Sequence, residues 1–545
     1  MKKMKRIPFF LAAALICMGA CSPEKESEKP AESVTETVGE TKRQPETEIS
    51  ASEETEQEAV SEETELLSLM TDSRYDHIWE GDRRLSYVNY RKIWLDDRED
   101  GDSDTGAGKF PELAQALNEM NDQAEKNARQ FLEELGDQAR DLAKDGYFHE
   151  LSYQSDGWVI RADSRVLSLL TMDYVYMGGA HGDYEYAGIT FDSQSGRRLE
   201  LEEVVTDTGR LAELAAERLT EKYPDVGFFE PPADVLRKQA EDGSLTWTAG
   251  YQGLTLCFSP YELAPYAYGM QSVTILYEEA PELFVPEICQ VPGSWAVPLA
   301  PGMEFDLGQD GVLDRVEAGG VHGDGSAYEQ FRVLVNGEES RKELWFYRDL
   351  SYLVHSDDLD TELLISETTS DNDFQITLVY ELDPAKEGFW TPWEYSRLGF
   401  FTFYEEKGDN DYQYGTKILT DPDHFPMQLH MDLLSTYSGS RWYGLSEGAE
   451  DGGYLKPEQS WYDVDRGERY LTLLIPLEME VGDQGDTRMF PAGTRLWIVR
   501  VQGNEVGFIT EDGTDCRVSV DLSEWPGRVG GVDASEIFDG MMFAG

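Results

Sequence analysis

Residues 111–146 read PELAQALNEMNDQAEKNARQFLEELGDQARDLAKDG, which is the longest periodic pattern in the chain. Its apolar side chains recur at steps of three and four residues, as they do along one face of an α-helix. They are Leu113, Leu117, Met120, Ala124, Ala128, Phe131, Leu135, Ala139 and Leu142. Pro111 stands where a helix begins and Gly146 where one ends. The stretch therefore predicts one long amphipathic helix.

Shorter segments with strand character lie on both sides of this helix. Before it, alternate residues from Tyr87 to Leu95 share one side of a predicted strand. After it, the sequence predicts strands at 158–162, 166–177, 184–191, 254–258 and 273–277, and helices at 209–223 and 233–240. Because these elements are grouped rather than regularly alternating, residues 72–288 are predicted to form an α+β domain with an antiparallel sheet, the long helix and shorter helices.

Two motifs in this region resemble those of a known family. The first links Ser168–Leu170, the Gly-Gly-Ala-His-Gly run at Gly178–Gly182 and Thr190–Asp192, and the second spans residues 253–269. Together they resemble the core signature of an extracytoplasmic domain family. That family includes the outer domain of the lysozyme-binding sigma-V anti-sigma factor and the N-terminal part of a peptidoglycan deacetylase. The resemblance covers residues 72–288 and implies a binding role, with lysozyme as a candidate partner.

The chain departs from both family members outside this region. It has no apolar segment long enough for the transmembrane helix of the anti-sigma factors. It also lacks the deacetylase domain with its Thr-Phe-Asp-Asp-Gly run and His-x-x-x-His pair, since Thr190–Ser193 echoes that run only inside the binding region. The sequence contains no hydrolase, phosphate-loop, zinc-protease or dinucleotide motif. The sequence therefore predicts that this protein is not an enzyme.

The motif residues His181, Tyr261, Tyr266 and Tyr268 are the candidate binding residues. His181 has Asp183 and Glu185 nearby, which is compatible with a metal or general-base role. The flanking glycines favour the alternative, a tight turn in which the imidazole pins the backbone. The aromatic loop that contains the three tyrosines is interpreted as a rigid protein-contact surface, or as a packed lid over the sheet.

Residues 1–21 have the pattern of a lipoprotein signal peptide. A basic n-region precedes the apolar run 7–18, which is too short to span a bilayer. The run ends in Met18-Gly19-Ala20-Cys21, which resembles a lipobox except that Met18 replaces the usual Leu. We expect lipidation of Cys21, including an acyl chain such as palmitate, and anchoring to the outer face of a Gram-positive cell membrane. A secretory signal with a chance Cys is the alternative.

Residues 22–71 are predicted to form a disordered stalk. Between Ser22 and Glu65 there are fifteen Glu, four Lys or Arg, and no aromatic residue. Such a segment cannot bury a core, and its like charges repel one another. The stalk would hold the folded part away from the membrane.

The rest of the chain is also strongly acidic. The whole chain has a formal charge of −61. The n-region contributes +4 and the stalk contributes −11, so the rest of the chain carries −54. Such a charge argues against nucleic acid or anionic lipid as partners and favours cationic proteins or metal ions. Solubility, or adaptation to salt, is the simpler explanation.

Besides Cys21, the mature chain contains Cys257, Cys289 and Cys516. This odd number without short spacings predicts no disulfide framework and no zinc site. A single bridge, for instance between Cys257 and Cys289, stays open.

The C-terminal half is predicted to be mostly β, with a β-rich segment at 289–435 and a small SH3-like segment at 436–545. Asp306, Asp310, Asp314 and Glu317 follow the spacing of a calcium-binding loop. The third ligand position is Gly308, so one oxygen is missing. Calcium is therefore a candidate cofactor, and an Asp-Gly turn between two strands is the alternative. The loop also resembles those of FG-GAP-type propeller repeats, which suggests partly propeller-like character.

Aromatic residues crowd the same half of the chain. They include Trp390, Trp393, Phe400, Tyr404, Trp442 and Trp461. If exposed, such rings stack on sugars, whereas core packing is the favoured alternative. Two functions lead: a surface module that captures a cationic protein such as lysozyme, and a lipoprotein that binds or scaffolds cell-wall glycan.

Overall fold

The computed structural model describes residues 64–96, 106–323, 325–359, 361–371, 374–383, 391–408, 411–449, 453–465, 467, 469–482 and 485–543. The signal peptide, Cys21 and most of the stalk lie outside these residues, so their assignments stay predictions. Thr64 to Gly545 form one unit by their internal contacts. Its first strand begins at Leu69, a few residues before the predicted start at 72.

The first part of the described chain contains eight strands and four helices. The strands are β1 (Leu69–Glu80), β2 (Arg83–Leu95), β3 (Leu151–Ala162), β4 (Val166–Tyr176), β5 (Asp183–Asp192), β6 (Thr246–Ala249), β7 (Gly253–Phe258) and β8 (Gln271–Leu276). The helices are α1 (Pro111–Lys144), α2 (Leu201–Val204), α3 (Thr208–Lys222) and α4 (Pro232–Asp242). Short 3₁₀ turns follow at Tyr266–Tyr268 and Pro281–Leu283. The predicted α+β composition is confirmed.

The remainder of the described chain is mostly β, as predicted. Its first strands are β9 (Trp295–Pro298), β10 (Val316–His322), β11 (Tyr328–Val335), β12 (Glu338–Phe346), β13 (Arg348–His355), β14 (Glu362–Thr369), β15 (Gln375–Leu382), β16 (Trp393–Ser396), β17 (Leu398–Phe400), β18 (Thr402–Gly408), β19 (Asp411–Ile418), β20 (Phe425–Asp432) and β21 (Thr436–Leu445). They are followed by β22 (Leu455–Pro457), β23 (Tyr462–Asp463), β24 (Leu471–Leu473), β25 (Leu477–Val481), β26 (Asp486–Phe490), β27 (Arg495–Gln502), β28 (Glu505–Thr510), β29 (Asp515–Ser519), β30 (Arg528–Val529), β31 (Val532–Asp533), α5 (Ala534–Ile537) and β32 (Phe538–Asp539).

The first sheet has the strand order β18-β19-β1-β2-β3-β4-β5. Its pairs are antiparallel, as predicted, except that β2 and β3 run parallel. A parallel pair needs a long crossover connection, and α1 lies in that connection. α1 packs on β2 and β3: its Phe131 ring stacks on buried Tyr153, with centroids 4.3 Å apart. None of the described helices is long and apolar enough to cross a membrane.

Asn121 fixes α1 to the C-terminal end of β2. Its Oδ1 accepts a hydrogen bond from the Ile93 backbone at 3.1 Å, and its Nδ2 donates to the Ile93 carbonyl at 2.8 Å. The pairing of β2 with β3 ends at Tyr90, so the Asn121 side chain supplies hydrogen-bond partners to the β2 backbone beyond the end of β3. Asn121 is one of the buried residues of α1. The apolar pattern had instead identified its sequence neighbour, Met120, as a residue of the buried face.

A second sheet, β16-β15-β14-β13-β9, lies between the first sheet and the three-stranded sheet β10-β11-β12. One of its faces shares a core with Leu69, Ile93 and Leu95 of the first sheet. Strands β18 and β19 also extend the first sheet, since Leu69 pairs with Ile418. The domain boundaries predicted at residues 288 and 435 stay predictions.

A buried ion pair ties β3 to the chain that leaves the α+β region. Arg161 and Asp163 are fully buried, with Nε and Oδ2 2.6 Å apart. The two terminal guanidinium nitrogens donate to the carbonyls of Ile288 and Gln290 at 2.6 and 2.7 Å. These three charge-assisted contacts compensate the cost of burying the charges only while all partners stay in place.

Candidate functional site

The Gly-Gly-Ala-His-Gly run forms the tight turn between β4 and β5. Gly178 has φ +80°, and a Cβ atom on Gly182 would lie 2.3 Å from the Tyr174 ring, so both positions require glycine. The Tyr176 hydroxyl donates to the Gly179 carbonyl at 3.1 Å. The His181 Nδ1 atom lies 2.9 Å from the Gly182 carbonyl oxygen and 4.0 Å from an Asp183 carboxylate oxygen. This geometry is that of a pinned turn.

The loop between β7 and β8 is held rigidly beside that turn. The Ser259 backbone donates to Glu262 at 2.7 Å, and Tyr261 donates to the Ala264 carbonyl at 3.0 Å. Tyr261 has φ +71°, a conformation that non-glycine residues seldom adopt. The Tyr186 backbone donates to Ser259 Oγ at 2.9 Å, which fastens the loop to β5.

The predicted binding residues of the two motifs lie together. The His181 imidazole stacks on the Tyr266 ring, with centroids 4.0 Å apart and planes 21° apart. Tyr266 also contacts Tyr261 at 5.7 Å and, edge to face, Tyr184 at 5.6 Å. Tyr268 belongs to the same 3₁₀ turn and is 47% exposed. Two segments that are about eighty residues apart in sequence thus form one aromatic cluster.

This cluster continues across the open face of the first sheet. Strand register aligns Tyr75, Asn89, Gln154, Tyr174 and Tyr184 in one row over β1 to β5. The next row aligns His77, Tyr87, Ser152 and Tyr176. Since directly paired residues point to the same side of a sheet, both rows share one surface. We define the tyrosine face by Tyr75, His77, Tyr87, Tyr174, His181, Tyr184 and Tyr266.

One end of this surface is covered and the other is open. Around Tyr186, the sheet β6-β7-β8 contributes Cys257 to a buried cluster that also contains Ile160 and Leu170. At the opposite end Tyr75 is 49% exposed and His77 is exposed as well. The rings touch along the face, with Tyr75 5.7 Å from Tyr87. The arrangement provides stacking surfaces and phenol hydroxyls to a ligand.

Charges around the tyrosine face are mixed. Arg84 lies 4.8 Å over the Tyr87 ring and pairs with Glu150 at 2.8 Å, which offsets its charge. Asp183 is exposed at the other edge. Burial raises the pKa of Tyr174 and of Tyr184, so both phenols stay protonated at neutral pH.

Tyr75, Tyr87, Tyr174 and Tyr184 were missed as candidates at the sequence level. Their local signal is alternation: aromatic residues occupy every second position in Tyr174-x-Tyr176 and Tyr184-x-Tyr186. Such alternation places rings on one side of a strand. Only the pairing of distant strands aligns these sides into one surface.

The Asp306 loop uses its carboxylates for backbone hydrogen bonds. Asp306 accepts from the backbones of Asp310 and Gly311 at 2.9 and 2.8 Å. Asp314 accepts from Leu307, and Glu317 lies on β10, paired with Arg315 at 2.8 Å. Nowhere in the described chain do three or more His, Cys, Asp or Glu side chains group to hold a metal. This geometry matches the Asp-Gly turn, and calcium binding stays a prediction.

Three of the aromatic residues named in the sequence of the C-terminal half, Trp393, Phe400 and Trp442, pack against other rings. Trp393 meets Tyr454 edge to face at 5.1 Å, and Phe400, 2% exposed, meets Tyr352 at 4.9 Å. Trp442 stacks on His424 at 4.0 Å. Trp390 lies outside the described residues. These contacts favour core packing over sugar stacking here.

The bridge left open between Cys257 and Cys289 is not formed, since both thiols and that of Cys516 are free. Cys257 and Cys289 pack in different clusters. Burial raises the pKa of the Cys257 and Cys516 thiols to about 12, which keeps them protonated and unreactive.

Two known families match parts of the chain that contribute to this site. Residues 106–184 match the family described as deacetylase PdaC, and residues 208–278 match a protein family of unknown function, DUF3298. The chain is thus similar to the first family over one range and to the second family over the range that follows it. The predicted resemblance to the deacetylase-associated extracytoplasmic family is confirmed. The tyrosine face draws on both matches, because His181 and Tyr184 lie at the end of the first and Tyr266 lies in the second, whereas Tyr75, His77 and Tyr87 lie outside both.

Solved structures of DUF3298 family proteins are similar to part of the chain. One from Bacteroides fragilis NCTC 9343 is 16% identical, with a TM-score of 0.30, over 41% of this chain and 97% of its own. One from Pseudomonas aeruginosa PAO1 is 18% identical, with a TM-score of 0.25, over 41% of this chain and 95% of its own. No curated protein matches the chain at a significant level.

Proposed function

We propose that this protein is a non-catalytic extracytoplasmic binding module whose tyrosine face captures a cationic protein such as a lysozyme. The observation that carries the proposal is the row from Tyr75 to Tyr184 together with the His181–Tyr266 stack. Strands lie about 4.8 Å apart, so a row over five strands spans roughly 19 Å. That width suits a protein epitope, and tyrosine is enriched at the energetic centres of protein interfaces.

The charge of the chain supports a cationic partner. The part that follows the stalk carries a formal −54, and Asp183 stands exposed at the edge of the face. Such a field accelerates the encounter with a positive protein, whereas stacking on rings determines how long the complex lasts. The lipid on Cys21 would keep the complex at the membrane surface.

Calorimetric titration of the full chain with egg-white lysozyme tests this proposal. We expect one-to-one binding that weakens between about 20 mM and about 150 mM NaCl but persists, because screening acts on the steering charges more than on buried ring contacts. Cytochrome c, which is also small and cationic, is the control and should bind far more weakly. Equal binding of both proteins, or of neither, would overturn the assignment of lysozyme.

Cell-wall glycan is the second candidate ligand, because the exposed faces of Tyr75 and Tyr261 suit stacking on sugar rings. Titration with soluble peptidoglycan fragments distinguishes the two. Fragment binding that is unaffected by salt, without lysozyme binding, would favour the glycan.

A further inference from the structure

A guanidinium group lies against the open end of the tyrosine face. Arg84 follows the turn between β1 and β2, where it pairs with Trp79. Its guanidinium carbon lies 4.8 Å from the centre of the Tyr87 ring and 5.8 Å from that of the Tyr75 ring. One terminal nitrogen, Nη1, donates to the Tyr75 hydroxyl. The two rings therefore hold a positive group within the surface that a partner would contact.

Glu150 holds the same guanidinium group from its other side. The second terminal nitrogen, Nη2, donates to the Glu150 Oε1 atom at 2.8 Å. Glu150 directly precedes β3, whose first residue, Leu151, pairs with Ser86 of β2. The parallel pairing of these strands thus brings the carboxylate to Arg84, although the two residues are 66 positions apart in sequence. Their side chains are 34% and 38% exposed, so a bound protein would meet both.

The Glu150 carboxylate changes what this end of the face offers to a partner. It offsets the charge of Arg84, which would otherwise repel a cationic protein at short range. It also occupies Nη2, a donor that would otherwise bind a carboxylate of an acidic protein. Both effects act in the same direction, because each favours a cationic partner over an acidic one. Without Glu150 the guanidinium group would stay on the face, since it also contacts the two tyrosines.

We propose that Glu150 determines the specificity of the tyrosine face: paired with Arg84 it selects a cationic protein, and in its absence the same surface accepts an acidic one. This inference rests on the proposed function, because it concerns the same face. Glu150 acts through Arg84, so it is a positioning residue that also sets the local charge.

Titration of the full chain and its variants with two proteins tests the proposal. Glu150→Gln should bind egg-white lysozyme about fivefold more weakly than the unchanged chain in about 20 mM NaCl. The loss should shrink in about 150 mM NaCl, because salt screens exposed charges. The same variant should bind α-lactalbumin, which is acidic and similar in size to lysozyme, about fivefold more tightly than the unchanged chain does.

Glu339→Gln is the matched control. Glu339 forms an ion pair with Arg341 on β12, and its side chain is 34% exposed, which resembles the pair on the tyrosine face. The control removes the same charge from a different sheet. It should change either affinity less than about twofold, since isolated exposed charges contribute little at a distance.

The double variant Arg84→Gln, Glu150→Gln shows whether Glu150 acts through Arg84. Its lysozyme affinity should return to within about twofold of the unchanged chain, because the uncompensated cation is gone. Circular dichroism checks that each variant is folded. If Glu150→Gln unfolds, Arg84→Gln replaces it and should bind lysozyme about threefold more tightly, because it leaves the Glu150 charge uncompensated.

Two results would overturn this inference while the proposed function stands. One is lysozyme binding by the unchanged chain with equal losses in Glu150→Gln and Glu339→Gln. The other is a loss in Glu150→Gln that the double variant does not reverse, since the effect would then not involve Arg84. Absence of lysozyme binding by the unchanged chain would instead overturn the proposed function, and this inference with it.

Discussion

Two regions of this molecule are rich in aromatic residues, and they use them differently. On the tyrosine face the rings stand on an open sheet surface, with Tyr75 49% exposed. In the C-terminal half, Trp393 and Phe400 pack against other rings in the core. Aromatic content alone therefore does not identify a binding site. The proposed site is marked instead by the alternating tyrosines Tyr174-x-Tyr176 and Tyr184-x-Tyr186 on β4 and β5, whose side of the sheet stays partly open.

The largest expected effect separates the packed region from the open one. Phe400→Ala should lower the free energy of unfolding by about 3–5 kcal/mol, because it removes a buried ring and leaves a cavity beside Tyr352. Lysozyme affinity of the folded protein should stay the same. Urea unfolding and titration measure the two quantities. A loss of affinity without a loss of stability would place Phe400 in a binding surface instead.

The open region should show the reverse behaviour. Tyr266→Ala removes the ring that contacts His181, Tyr184 and Tyr261, so we expect lysozyme binding to weaken by about 2 kcal/mol. Stability should change by less than about 1 kcal/mol because the ring is only half-buried. Tyr347→Ala, at a 47% exposed tyrosine outside the face, is the matched control. Equal binding by both variants would contradict the role of the tyrosine face.

A smaller effect is expected in the Asp306 loop, which the sequence predicts to be either a calcium site or an Asp-Gly turn. Asp306→Ala removes the acceptor for two backbone N–H groups and should cost about 1 kcal/mol of stability. If the loop is an Asp-Gly turn, this cost is the same in calcium and in EGTA. Thermal unfolding in both buffers measures it. Stabilisation of the unchanged protein by calcium, lost in the variant, would support a calcium site.

Sequence patterns predicted local elements well and their assembly less well. The steps of three and four from Leu113 to Leu142 predicted α1, and the glycines around His181 predicted its tight turn. The parallel pairing of β2 with β3 and the addition of β18 and β19 to the first sheet were not predicted. These pairings join residues that are far apart in sequence, and their hydrogen bonds carry no local pattern.

The candidate site shows the same limit. His181 and Tyr266 were found because each belongs to a motif, whereas Tyr75 and Tyr87 belong to none. Their role depends on a register that aligns five strands. Arg161 was missed for a similar reason, since a single arginine in a strand gives no sign that it is buried against the Ile288 carbonyl.

The smallest expected effect concerns the pH dependence of stability in the second region. Burial lowers the pKa of His355, but the hydrogen bond and charge of Glu362 and the charge of Asp357 raise it by more, so the net pKa lies above the ordinary 6.5. The folded state therefore favours the protonated imidazole. This stabilisation is complete below pH 6.5 and is lost as the pH rises through the raised value. In His355→Gln, which keeps a donor for Glu362, unfolding free energy should fall less steeply across that range. Parallel stability curves for the two proteins would show that the imidazole charge contributes nothing to this end of the sheet.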